Sequence, residues 1–136
     1  MENDNLLTNN AGAIVNFIGT VRGKSKTNKK ILSMTLEHYP EMTENEILNI
    51  ITEASKKWKI NKISVIHRIG KLLPRDKIVY VGVSSIHREN AFYACNFIMD
   101  WLKTKATFWK LEEFEDDAKW VLQENKDYKS LEKWNK

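Results

Sequence analysis

The alternation of apolar and polar positions divides the chain into recognisable elements. Residues 11–21 (AGAIVNFIGTV) are rich in Ile, Val and Phe and predict a buried strand. The polar, basic stretch RGKSKTNKK over 22–30 predicts an exposed, mobile loop. In ILSMTLEH, Leu32, Met34, Leu36 and His38 point one way and Ser33, Thr35 and Glu37 the other, as in a strand with one buried face. Thr43 and Glu46 have capping-box spacing, and Ile47, Ile50, Ile51, Ala54 and Trp58 then keep a helical period. Ile63, Val65, His67 and Ile69 share one face of a further strand. KLLPRD reads as a turn, because Pro74 cannot donate to a ladder, and KIVYVGVSS as the next strand. A second helix is expected from His87 to Lys103, capped by Ser84 or Ser85. Its apolar stripe is Ala91, Cys95, Ile98 and Leu102, with Phe92, Met99 and Lys103 on a neighbouring stripe. TFWKLEEF and KWVLQ predict two strands joined by the acidic turn EDDA, and the polar end ENKDYKSLEKWNK a short frayed helix.

Interleaved strands and helices that end in a hairpin imply an α+β fold. The expectation is one mixed, mostly antiparallel sheet with helices packed on one face. The length of 136 residues suits one domain over 1–136, with 1–10 and 124–136 as mobile ends.

Composition narrows the function classes. At 42% hydrophobic and 29% charged the chain is globular rather than disordered, and no apolar run approaches the ~20 residues of a membrane helix. The 22 Lys and Arg against 18 Asp and Glu leave a net charge of +4. That charge admits an anionic small molecule, an acidic partner or a nucleic acid. Cys95 alone can form neither an internal disulfide nor a Cys-based zinc site. The opening MENDNLLTNN does not have the basic-then-apolar form of a signal peptide, so the expectation is a cytoplasmic protein.

No phosphate-binding glycine motif, nucleophile elbow or H-E-x-x-H zinc motif is present, which leaves basic groups and histidines as the candidates. His87 and Arg88 fall where a strand turns into a helix, beside free backbone N–H groups and the positive end of the helix dipole. They form either a small anion site or an ordinary solvated helix start. Lys103, Lys105 and Lys110 cluster at the other end of that helix and in the following strand. Lys110 shares a strand face with Phe108, so it either snorkels to solvent or lines a pocket. Arg22 ends the first strand, where a side chain can reach a site rim. His38 and His67 lie on apolar strand faces and read as hydrogen-bonded core histidines rather than metal ligands. Cys95 reads as an inert core thiol. Trp58 and Trp101 fit helix packing rather than stacking on bases.

The segments FIGTVR, LEHYPEMTE, VIHRIGKLLPRD, VGVSSIHRENAF and FIMDWLKTKATFWKLE occur in that order. Together, over about 11–121, they resemble the large, catalytic subunits of molybdopterin synthase, the MoaE family. The resemblance implies an α/β-hammerhead-like domain that forms a homodimer. It implies a ubiquitin-like small subunit as partner, whose C-terminal Gly-Gly thiocarboxylate enters a pocket of the large subunit. The implied reaction moves two sulfurs onto cyclic pyranopterin monophosphate to make the molybdopterin dithiolene, without metal or other cofactor. Carried onto this sequence, the substrate-binding set is Thr20, Val21, Arg22, His87, Arg88, Lys103, Lys110, Leu111 and Glu112. Phe17 and Met99 are the apolar pocket residues, and Lys103 and Lys110 the catalytic pair. No nucleic acid or membrane partner is implied.

Several positions depart from the family pattern. Thr20 stands where many relatives have Lys, Thr107 where Pro is common and Leu111 where a basic residue is frequent. Glu124 falls near a further pocket Arg of some relatives, and an opening strand before 5–10 is lacking. These changes motivate two rival readings. One is a catalytically silent scaffold that still binds the small subunit; the other is a basic nucleic-acid-binding module built on residues 22–30.

Overall fold

A computed structural model describes residues 10–104 and 108–120. Their order is β1 (Ala13–Thr20), β2 (Ser33–His38), α1 (Pro40–Lys57), β3 (Lys62–His67), β4 (Gly70–Leu72), β5 (Lys77–Ser85), α2 (Arg88–Thr104), β6 (Phe108–Glu113) and β7 (Ala118–Trp120). The α+β class holds and every strand pairing among the described residues is antiparallel, but the strands divide into two sheets rather than one. The first has the order β1-β5-β3 and the second β4-β2-β6-β7. The division involves β4, whose Lys71 and Leu72 the sequence pattern assigned to a turn. Gly70, at φ +86°, turns the chain between β3 and β4. Only glycine adopts that conformation without strain.

Both helices bury their apolar stripes on one face of the first sheet. Ile50 and Ala54 of α1 and Ala91, Ala94, Cys95, Phe97, Ile98 and Leu102 of α2 close over Val81 and Val83 of the central strand β5. Among the described residues nothing packs over the opposite face, where Ile18 of β1 is 48% exposed and Ile66 of β3 47%. The buried strand expected at 11–21 is therefore an edge strand with an open middle, where Tyr80 Oη donates to Asn16 Oδ1 at 2.7 Å. The second sheet has its own small core of Val21, Met34, Leu36 and Leu72.

Two further expectations shift. Helix α1 starts before the Thr43 capping box, because Pro40 occupies its first turn and holds Tyr39 extended. Thr43 N–H instead makes an early helical bond to the Tyr39 carbonyl, at 2.8 Å. The basic loop 22–30 is a pinned hairpin. Ile31 N–H donates to Gly23 O, and Lys29 Nζ lies 3.1 Å from both Asp116 and Asp117 and over the Phe114 ring. The last strand is described only to Trp120; Val121–Gln123, the polar end, Glu124 and residues 1–9 lie outside the described residues.

Candidate active site

The seam between the two sheets gathers several of the candidate residues. Val21 is buried in the small core and tied on both sides: its N–H donates to Asp76 O and its carbonyl accepts from Arg75 N–H, each at 2.9 Å. That anchor fixes the backbone from which Arg22 projects. Thr20, just before it, is exposed and sits at the irregularity where β1 leaves register with β5. The Arg22 side chain is 54% exposed, and its Nη2 lies 3.8 Å from Oε2 of Glu112, whose side chain is only 8% exposed. This is charge pairing at longer than hydrogen-bond range. The buried Glu112 Oε2 has no hydrogen-bond partner among the described residues, so the guanidinium supplies its counter-charge.

Strand β6 carries Phe108, Lys110 and Glu112 on one face. Opposite them in β2 stand His38, Leu36 and Met34, respectively. Phe108 reaches the main core, while Leu36 and Met34 belong to the small one, so Lys110 lies where the two meet. Lys110 is partly buried there. Leu111 takes the other face of the sheet, opposite Thr35 and Trp120, so its side chain points away from Lys110 and Glu112.

Sequence reasoning missed what surrounds Phe108. The His67 ring stacks on it with centroids 3.8 Å apart and planes within 13°, and the His38 ring lies 5.9 Å from it at 9°. His67 Nδ1 is 2.8 Å from the Arg68 carbonyl oxygen, which agrees with the hydrogen-bonded histidine expected. Burial pushes His67 down to about 4, the Arg68 carbonyl works in the opposite sense, and the charges of Lys110 and His38 push it further down. The sequence signals for this cluster were the apolar strand faces on which His38 and His67 fall.

The remaining basic residues stand apart. His87 N–H donates to Ser85 Oγ at 3.3 Å and Arg88 opens α2, both exposed, whereas Lys103 lies exposed in the last turn. Arg88 and Lys103 are separated by 15 residues of one continuous helix, about 22 Å along its axis. One chain therefore does not bring His87 and Arg88 into the same pocket as Lys103. Met99, a turn before Lys103, packs partly against the main core, and Phe17 is 39% exposed on the helix-covered side of β1. Lys105 lies outside the described residues. Cys95 is buried, with its thiol pushed up to about 11 by burial, which makes it a poor nucleophile. Among the described residues no group of three or more His, Cys, Asp and Glu could hold a metal ion, and no helix is long and apolar enough to cross a membrane.

Comparison with known proteins gives a consistent picture. Residues 2–105 match the family model described as MoaE protein. The molybdopterin synthase catalytic subunit of Vibrio cholerae is 45% identical over 124 residues, covering 91% of this chain and 82% of that one. The crystal structure of molybdopterin synthase from Staphylococcus aureus superposes with a TM-score of 0.83 at 33% identity, over 88% of this chain and 86% of that one. A complex of subunits 1 and 2 of molybdopterin-converting factor from Helicobacter pylori shares the fold, with a TM-score of 0.74 at 18% identity over 88% and 78% of the two chains.

Proposed function

Because the chain belongs to the MoaE family, we propose that it is the catalytic subunit of a molybdopterin synthase, a sulfurtransferase of molybdenum cofactor biosynthesis. Its partner is a ubiquitin-like small subunit whose C-terminal Gly-Gly thiocarboxylate delivers sulfur to cyclic pyranopterin monophosphate. The observation that carries this reading is the seam, where Arg22 and Lys110 flank the buried Glu112 between two cores.

The chemistry suits an anionic substrate and an anionic sulfur donor. The Arg22 guanidinium is a fork of donors matched to phosphate, held from behind by Glu112. Lys103, at the end of α2, holds the negative charge of the incoming thiocarboxylate and of the transition state. Lys110, between the two cores, orients the pterin and moves protons. Phe17 and Met99 supply apolar walls, and the backbone of Thr20, Val21 and Leu111 completes the rim. Sulfur comes from the partner, so this chain needs no metal or other cofactor for the step.

His87 and Arg88 complete the pocket of a second copy in a homodimer. Their N–H-rich helix start is suited to the phosphate, and the length of α2 keeps them from the seam end of their own helix. The test is direct. The purified chain is mixed with thiocarboxylated small subunit and cyclic pyranopterin monophosphate, and dithiolene formation is measured. Lys103→Ala and Lys110→Ala should each lower the rate by about 10²-fold or more, and wild-type rates in both would refute the assignment.

A further inference from the structure

The ring cluster beside Lys110 has no part in the proposal above. Phe108 and Lys110 lie on the same face of β6, two residues and about 7 Å apart along the strand. Phe108 is the point at which β6 enters the main core, and the ring against it belongs to a different sheet: His67 ends β3. The stack therefore joins the two sheets next to the residue proposed to handle the pterin.

The chemistry of His67 fixes how it sits. Its Nδ1 is 2.8 Å from the Arg68 carbonyl oxygen. A carbonyl oxygen only accepts, so Nδ1 carries the proton and the neutral ring keeps Nε2 as an acceptor. The Arg68 guanidinium is directed elsewhere, donating to Lys77 O at 3.3 Å. Burial opposes protonation of the His67 ring, and so do the neighbouring Lys110 of β6 and His38 of β2. His67 therefore stays uncharged through the neutral range and adds no positive charge to a seam already holding Arg22 and Lys110.

We propose that His67 is a positioning residue for Lys110: its backbone-locked ring clamps Phe108 and so fixes the stretch of β6 that carries the lysine. This rests on the sulfur-transfer reading of Lys110, and its test has a readout that does not. His67→Leu keeps much of the volume without a ring plane, and His67→Phe restores the plane. Each variant is assembled with thiocarboxylated small subunit, and kcat and KM are measured with cyclic pyranopterin monophosphate. In parallel, lysines are reductively methylated with ¹³C, and the Lys110 resonance is assigned by its loss in Lys110→Arg.

His67→Leu should lower kcat about tenfold with KM within about twofold, as expected when a reacting group is misplaced rather than removed. His67→Phe should recover kcat to within about threefold of the wild type. The Lys110 resonance should shift in the Leu variant and return in the Phe variant. A folded His67→Leu with wild-type kcat and an unmoved Lys110 resonance overturns the proposal, as does a His67→Phe as impaired as the Leu variant. If wild-type protein transfers no sulfur while the resonance still follows the two substitutions, the positioning role stands and the reading of the reaction falls.

Discussion

Two inactive variants should restore each other. If His87 and Arg88 serve the pocket of the partner copy, a chain carrying His87→Ala and Arg88→Ala and a chain carrying Lys110→Ala are each defective in every pocket of their own homodimers. The structural basis is the single continuous helix α2, which separates Arg88 from Lys103 by 15 residues, or about 22 Å. In a two-fold dimer made from one chain of each kind, one pocket collects all the substitutions and the other collects none. Random reassortment of equal amounts makes half the dimers mixed, so about a quarter of all pockets are intact and about a quarter of the wild-type rate should return. The assay is dithiolene formation after co-refolding differently tagged chains, with tandem-tag purification to isolate the mixed dimer. Isolated mixed dimer should reach about half the wild-type rate. Mixed dimers that form but stay as inactive as the parents would refute pocket sharing and place His87 and Arg88 in the pocket of their own chain.

Three other outcomes follow from the packing and protonation described above. His67 is held neutral at about 4 in the folded chain, against ~6.5 when unfolded, so the unfolded chain binds more protons between these values and stability falls as pH drops through that window. The loss is up to about 3 kcal/mol; urea denaturation at pH 7 and pH 4.5 should show a smaller pH-dependent drop in His67→Phe, and equal drops would exclude His67 as a source. Ile98 is fully buried between the helices and β5, so Ile98→Ala should cost about 2–5 kcal/mol in the same titration. Cys95 should react with a thiol reagent at pH 8 only after denaturant is added, since burial raises its pKa to about 11; rapid labelling of the native chain would contradict the burial.

The legible parts of the fold were those set by local periodicity. The stripe of Ala91, Cys95, Ile98 and Leu102 located α2 to within a residue at each end, and the alternation around Met34 and Leu36 located β2. Punctuation was harder to weigh. Pro40 and Thr43 both mark helix starts, and the proline prevails because its fixed φ and missing N–H already suit a first turn. Gly70 fell between the strand expected to end at Ile69 and the turn expected over KLLPRD, so the short strand Gly70–Leu72 in the other sheet was not read. Loop 22–30 looked mobile because its anchor, Lys29 on Asp116 and Asp117, spans almost ninety positions. For the site, the exposed ends of α2 and the shared face of Phe108 and Lys110 were readable. The ring contact between His67 and Phe108 was not, since it crosses from one sheet to the other and nothing local encodes it.

The chain crosses from the first sheet to the second at the Gly70 corner, while the side chains of His67 and Phe108 bridge the same gap without a covalent link. Gly70 follows His67 by only three residues, so backbone and ring contact weld the two sheets at one place, and slackening the rings would leave the glycine to carry the joint alone.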